Sequence, residues 1–258
     1  MIRARKRFGQ HFLHDPAVLQ RIARAVNPVP GEHVVEIGPG TGALTAQLLG
    51  MVPHLDAIEI DRDLAASLRS RWPRQLTLHE ADALEFDYAA LARARGGPLR
   101  VVGNLPYNIS TPLLFRLLDQ VEHIVDLHVM LQKEVVDRMA AAPGSDDYGR
   151  LTVMLAPRLR IEKLFDVGPG AFIPPPRVWS AVARLQVLPQ PRFPVPPAFA
   201  AVVSAAFAQR RKTLRNSLRA LVPPSAFAAT GVDAGARAEV LAPEQFAALA
   251  ALALPGDV

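Results

Sequence analysis

The stretch His33-Val34-Val35-Glu36-Ile37-Gly38-Pro39-Gly40-Thr41-Gly42-Ala43-Leu44 decides the fold. A short apolar run, His33 to Ile37, enters alternating glycines, and Thr41 to Leu49 then has helical character. The pattern reads as strand, tight turn, helix. Such a turn brings backbone close to a ligand and aims the first helical N–H groups at it. The spacing is G-x-G-x-G rather than the G-x-G-x-x-G of dinucleotide sites. No Gly-Lys-Ser/Thr follows, so a phosphate-cradling loop is disfavoured.

Outward from this turn, strands and helices alternate. Asp15-Pro16 suits an N-cap and first helical position, with Val18, Ile22 and Val26 at helical spacing over 15–26. Further strands are predicted at His54–Ile60, Leu76–Leu78, Leu99–Gly103 and Val125–Leu131. Helices are predicted at Asp63–Arg71, Ser110–Leu118, Glu134–Ala141 and Gly149–Ala156. Lys163–Val167 and Ser180–Val187 suit a closing pair of strands. The segment between them, Phe172-Ile173-Pro174-Pro175-Pro176, suits neither a central strand nor a helix. Alternation at this spacing predicts a parallel sheet covered on both faces. After Leu188 the prolines at 189, 191, 194, 196 and 197 read as a linker. Ala198–Ala208, Thr213–Leu221 and Pro243–Leu252 then read as helices of a small domain. The expected division is 1–188, with a basic arm at 1–14, and 189–258.

The 258 residues are 50% hydrophobic and 21% charged, an ordinary globular balance. No apolar run approaches the ~20 residues of a membrane span. The basic start lacks the apolar core of a signal peptide, and a cytoplasmic protein is the expectation. There is no cysteine, which excludes disulfides, zinc-thiolate sites and thiol catalysis. The net charge of +5 is unevenly spread. Arg3, Arg5, Lys6 and Arg7 sit in an acid-free start; Arg210, Arg211, Lys212, Arg215 and Arg219 sit in an acid-free segment at 207–220. Two such clusters suit a polyanion, and equally suit solvated faces.

An acid about 20 residues beyond the glycine turn is expected at the second strand's end, where it binds ribose hydroxyls. Glu59 stands 21 positions after Gly38, with Asp61 as the competing candidate. The third strand runs into Glu80-Ala81-Asp82, and a carboxylate there can accept a bond from an adenine amino group. A ligand with ribose, adenine and a carboxylate tail but no phosphates fits, and S-adenosylmethionine is that ligand. No metal site is expected. The fourth strand ends in Asn104-Leu105-Pro106-Tyr107. The Asn104 amide oxygen and the Leu105 carbonyl can accept both N–H bonds of an exocyclic amine, while Tyr107 stacks on its base. Both acceptors favour a more pyramidal amine nitrogen and free its lone pair. If the first and fourth strands are neighbours, Asn104 faces the methyl donor. A capped turn with Tyr107 as a core aromatic explains the same residues. A target base must leave its stack to enter, and Phe172 is the candidate second face for it; a loop aromatic that anchors the domain explains Phe172 equally well.

Several blocks resemble the ribosomal RNA adenine dimethyltransferases, most closely the bacterial small-subunit branch. They are Arg5–Leu13 (Arg-Lys-Arg-Phe-Gly-Gln-His-Phe-Leu), Glu36–Gly42, Gly103–Ser110, Leu131–Val135, Tyr148–Leu151, Phe172–Pro176 and Gln209–Ser217. The resemblance implies an α/β, Rossmann-like class I methyltransferase domain with a smaller C-terminal all-helical domain that binds RNA. It implies dimethylation of N6 of two adjacent adenosines in the 3′-terminal hairpin loop of 16S rRNA, in late ribosome biogenesis. S-adenosylmethionine is the donor and leaves as S-adenosylhomocysteine. By the same analogy His11 and Leu13 lie over the cofactor, Gly38 and Gly40 approach its methionine part, Glu59 holds the ribose, and Asp82 the adenine. Asn104 sits at the reacting amine. Arg5, Lys6, Arg7, Arg210, Arg211, Lys212 and Arg215 face RNA. His11 departs from the commoner Asn; a backbone contact survives that change, a side-chain amide contact does not. The alternatives are a large-subunit, antibiotic-resistance type of enzyme, a non-catalytic RNA-binding relative, and an adenine-N6 DNA methyltransferase, which carries Asp where this chain has Asn104. With no long apolar seam, a monomer is expected.

Overall fold

The structure, a computed structural model, describes residues 10–209 and 211–254. The chain forms two compact units. One comprises the chain up to Val136 with Ile161–Val187; the other comprises Asp137–Arg160 with the chain from Leu188 onward.

In the first unit, β2 (His33–Ile37), β3 (Leu55–Glu59), β4 (Leu76–Glu80), β5 (Leu99–Asn104), β6 (Ile124–Gln132), β7 (Leu159–Val167) and β9 (Ser180–Val187) form one sheet. β1 (Phe12–Leu13) and β8 (Phe172–Ile173) form a separate antiparallel pair. The order in the large sheet is β4-β3-β2-β5-β6-β9-β7. Neighbours from β4 to β6 run parallel, and β9 runs antiparallel to β6. Nearly every position of β2, β3 and β5 is buried, which is why these strands show no apolar–polar alternation. The helices that connect them are α1 (Pro16–Val26), α2 (Ala43–Leu49), α3 (Arg62–Arg71), α4 (Tyr88–Arg95) and α5 (Ser110–Asp119). Asp15 caps α1 by accepting the Ala17 and Val18 N–H groups at 2.8 and 3.1 Å.

Chain order reverses between β2 and β5, which are hydrogen-bonded neighbours paired from His33↔Leu99 to Glu36↔Val102. The condition set by the sequence, that the first and fourth strands adjoin, is met. Crevices for ligands open at the carboxyl ends of strands at such a reversal. Two glycines hold it tight. Gly42, at φ 80°, packs beneath Leu68 and Trp72; a Cβ there would stand 2.7 Å from both side chains. A Cβ on Gly103 would meet the Ile37 carbonyl oxygen at 2.5 Å, so only glycine lets β5 lie this close to β2. Buried Arg100 then ties β5 to β6. It donates to both Asp126 oxygens at 2.9 Å, to Glu32 at 2.7 Å, and to the Val26 carbonyl at the end of α1.

The second unit carries α7 (Arg150–Leu155), α8 (Phe199–Phe207), α9 (Leu214–Ser217), α10 (Pro224–Thr230) and α11 (Pro243–Ala251); α6 (Lys133–Ala140) crosses into it at Asp137. Its core gathers Tyr148, Val153, Phe199, Leu214, Leu218 and Phe246. The Tyr148 hydroxyl donates to the Leu241 carbonyl at 2.6 Å. Residues 137–160 therefore belong with this unit, and a single cut at 188/189 does not describe the division.

Three local expectations change. α4 and α10 were not foreseen. Within Thr213–Leu221 only α9 is helical: Leu221 and Val222 both bond back to Leu218, and Pro223-Pro224 removes the N–H groups a longer helix needs. Phe172 and Ile173 form an edge pair with β1 rather than a loop.

Replacing Gly103 by Ala is expected to cost about 1–3 kcal/mol in urea denaturation, the range for overpacking a tight site. An unchanged midpoint would show that the β2–β5 approach is not tight.

Candidate active site

At the carboxyl ends of β2, β3, β4 and β5 a cavity of about 280 Å³ opens, lined from the segments 10–13, 36–41, 43–44, 58–60, 81–83 and 104–109. His11, Leu13, Gly38, Gly40, Glu59, Asp82, Asn104, Leu105 and Tyr107 all stand on this one wall. Among the described residues the lining holds three carboxyl groups, Glu36, Glu59 and Asp82, and no lysine or arginine. In a chain of net charge +5 this is an acidic enclave. It offers nothing to clamp phosphate and suits a ligand bearing positive charge.

The two turns that face each other here are in near contact. A Cβ built on Gly38 would lie 3.8 Å from the Asn104 carbonyl oxygen. Gly38 N–H bonds the Ile58 carbonyl at 2.9 Å, which fixes the glycine turn to β3. Glu59 is 5% exposed and grips the same turn. One of its oxygens accepts the Gly40 N–H at 3.2 Å and the other the Asp61 N–H at 2.9 Å. A carboxylate has further lone pairs, so hydroxyl donors can still be accepted. Burial raises the Glu59 pKa, and these backbone bonds oppose the rise. Asp61, the competing candidate, instead caps α3 by accepting the Asp63 N–H. Asp82 accepts the Leu84 N–H at 2.9 Å, which orients its carboxylate on the wall.

Asn104 Nδ2 donates to the His11 main-chain carbonyl at 2.9 Å. A carbonyl only accepts, so the amide can face it only through nitrogen, and Oδ1 is the end left for an incoming donor. The contact is to backbone, so His at position 11 is compatible with it. Leu105 is fully buried and its N–H bonds the Met130 carbonyl at 3.1 Å, fixing the turn to β6. The Tyr107 hydroxyl shares a 2.6 Å hydrogen bond with Ser180 Oγ. Burial raises the Tyr107 pKa against that bond, so it stays a neutral phenol.

Phe172 does not stand beside Tyr107. It is 2% exposed, pairs with Leu13, and belongs to the core under α1 and α2. It is absent from the cavity lining. The ring against Tyr107 is His11, with centroids 5.7 Å apart and planes 25° apart, its Nδ1 2.7 Å from the Pro174 carbonyl. Of the basic residues, Arg5, Lys6, Arg7 and Arg210 lie outside the described residues. Arg211, Lys212 and Arg215 are exposed in the second unit, around the buried anchors Leu214 and Leu218.

One wall residue received no role from the sequence. Glu36 is buried, and the Thr45 hydroxyl donates to it at 2.6 Å. Burial pushes its pKa up from 4.5 to about 7; the Thr45 bond opposes this and the Glu59 charge adds to it. An acid at a strand's last turn before a glycine loop was the signal. No group of His, Asp or Glu that could hold a metal ion occurs among the described residues, and none of their helices is long and apolar enough to cross a membrane.

Comparison with known proteins agrees with this geometry. A family described as ribosomal RNA adenine dimethylase matches residues 1–253. A Thiobacillus denitrificans protein named ribosomal RNA small subunit methyltransferase A is 56% identical over 252 residues, 96% of each chain. The crystal structure of the 23S rRNA methyltransferase ErmE superposes with a TM-score of 0.71 at 28% identity, covering 93% of this chain and 98% of that one. A dimethyladenosine transferase from Plasmodium falciparum shares the fold at TM-score 0.75 and 22% identity, covering 94% and 99%.

Because Glu36 titrates higher in the folded chain than in the unfolded one, its contribution to stability is full below about pH 4.5 and is lost as pH rises through about 7. The loss is on the order of 3 kcal/mol. Denaturation of Glu36→Gln between pH 5 and 8 should lack that decline; a slope equal to the unmodified chain's would contradict it.

Proposed function

This chain belongs to the ribosomal RNA adenine dimethylase family, and on that premise we propose that it transfers methyl groups from S-adenosylmethionine to N6 of two adjacent adenosines in the 3′-terminal hairpin loop of 16S rRNA. The enzyme is an rRNA adenine dimethyltransferase acting on the small subunit, in the cytoplasm, during ribosome biogenesis. The observation that carries this reading is a cleft whose described lining bears Glu36, Glu59 and Asp82 and faces an amide presented oxygen first.

The wall fits the donor by its chemistry. Glu59 would take the ribose hydroxyls and Asp82 the adenine amino group. Gly38 and Gly40 give backbone access to the methionine part, and Glu36 adds negative charge for a cation. Bound S-adenosylmethionine supplies an electrophilic methyl group carried on a sulfonium. Asn104 Oδ1 and the Leu105 carbonyl accept the two N–H bonds of the target amine and direct its lone pair toward the glycine turn. Tyr107 offers an aromatic face to the base, held through Ser180. These residues act by position and fixed dipoles. No side chain need remove a proton beforehand, because the amine becomes acidic only on methylation and its proton then passes to water.

The 56% identity to a small-subunit methyltransferase supports that target over the large subunit, whose methyltransferase ErmE is 28% identical. An intact Asn104–Tyr107 turn opposite the glycine turn supports catalysis over a purely RNA-binding role.

Labelled methyl groups should enter small subunits that lack the modification and not large subunits; transfer into large subunits alone would overturn the assignment. Asn104→Ala should lower the transfer rate by at least about a hundredfold, the scale of an electrostatic contact at the reacting centre, while calorimetric affinity for the donor changes little. Normal turnover in that variant would remove Asn104 from the chemistry. Neutralising Arg211, Lys212 and Arg215 together should weaken RNA binding and lower the slope of log K against log salt by about one for each phosphate no longer neutralised. An unchanged slope would make that cluster a solvated face.

A further inference from the structure

The loop from Ile173 to Trp179 exposes an unusual amount of apolar surface. Ile173 is 60% exposed, Trp179 56% and Val178 44%, with Arg177 exposed between them. Single exposed apolar residues are ordinary, but a group of large ones in one short loop marks a binding surface.

This loop is tied to the cleft wall at both ends. At its start Ile173 pairs with Phe12, and the Pro174 carbonyl lies 2.7 Å from His11 Nδ1. At its end Ser180 bonds the Tyr107 hydroxyl at 2.6 Å. Trp179 directly precedes Ser180, so its Cα stands within about 10 Å of that hydroxyl, since neighbouring Cα atoms are about 3.8 Å apart. Its own position is fixed as well. The Trp179 carbonyl accepts the Lys133 N–H at 2.9 Å, and the benzo end of the indole rests on Gly168, where a Cβ would stand 3.6 Å away. Proline at 174, 175 and 176 stiffens the intervening backbone. An exposed indole, held against Gly168 one residue from the Ser180 anchor of Tyr107, is thus pre-organised rather than left over from folding.

The geometry points to Trp179 as a stacking platform for an unpaired nucleotide next to the adenosine held in the cleft, with Arg177 beside it for the phosphate. This rests on the reading of the cleft as an RNA adenine site. A substrate that turns one base out of its stack leaves the neighbouring base with an exposed face. An aromatic side chain within a nucleotide's reach replaces that stacking partner. Trp179 then positions the strand and does not touch the reacting amine.

The test uses the full chain and small subunits lacking the modification. Trp179→Ala should raise KM for the subunit about tenfold, the scale of a single base stack, with kcat within about twofold and unchanged affinity for S-adenosylmethionine. Trp179→Phe should stay close to the unmodified enzyme. In a Trp72→Phe background Trp179 is the sole tryptophan, and a protein-free RNA hairpin carrying the two adenosines should quench its emission. Equal KM in Trp179→Ala, or no quenching, would overturn the inference. A KM defect seen with whole subunits but not with protein-free RNA would overturn it too, in favour of a ribosomal protein contact. If the unmodified enzyme methylates no RNA, the reading of the cleft fails, and this inference with it.

Discussion

The structure depends on how closely β5 lies against β2 where the sheet reverses its order. Gly103 permits that approach, because any side chain there would collide with the Ile37 carbonyl. Arg100 and Asp126 hold β5 to β6 on its other side. The approach brings the Gly38 turn to the Asn104 carbonyl. The glycine turn and the Asn104 turn thus line one cavity without any element made for the purpose. Their separation follows from strand spacing, which is among the least adjustable distances in a protein.

Charge then decides what the cavity accepts. Basic residues outnumber acidic ones by 29 to 24, yet among the described residues the wall of the cleft has only acids as ionisable groups apart from His11 and the neutral phenol of Tyr107. On the proposed function, a polyanionic partner meets the exposed basic surface and a cationic small molecule the interior. Burial is what chiefly raises the Glu36 pKa, with the nearby Glu59 charge adding a smaller push in the same direction.

Much of this was legible in the chain. β2, β3 and β5 stood out because both faces are buried, and α1 because Asp15-Pro16 marks its start. Glu59 could be placed because strand–helix spacing puts it at a strand's end. α4 was missed because Tyr88 to Arg95 is alanine-rich with no sharp apolar face; Asp87 and Gly96 at its ends were the only cues. Other features depend on distant partners. The orientation of Asn104 is set by a carbonyl 93 residues away. Phe172 looked available for stacking because a proline-rich loop follows it, and only its pairing with Leu13 shows that it is core. The grouping of Tyr148 with Phe199 and Phe246 likewise arises from packing that local spacing does not record.

We propose that Asn104 and Leu105 hold an adenine amine facing the glycine turn, and a crystal structure of the full chain with S-adenosylhomocysteine and a short RNA hairpin carrying the two adenosines would show it. One adenine is expected to be turned out of the hairpin, its N6 within about 3.2 Å of Asn104 Oδ1 and the Leu105 carbonyl oxygen, and its ring against Tyr107. An adenine bound elsewhere, or one whose N6 points away from the Gly38–Gly42 turn, would contradict it.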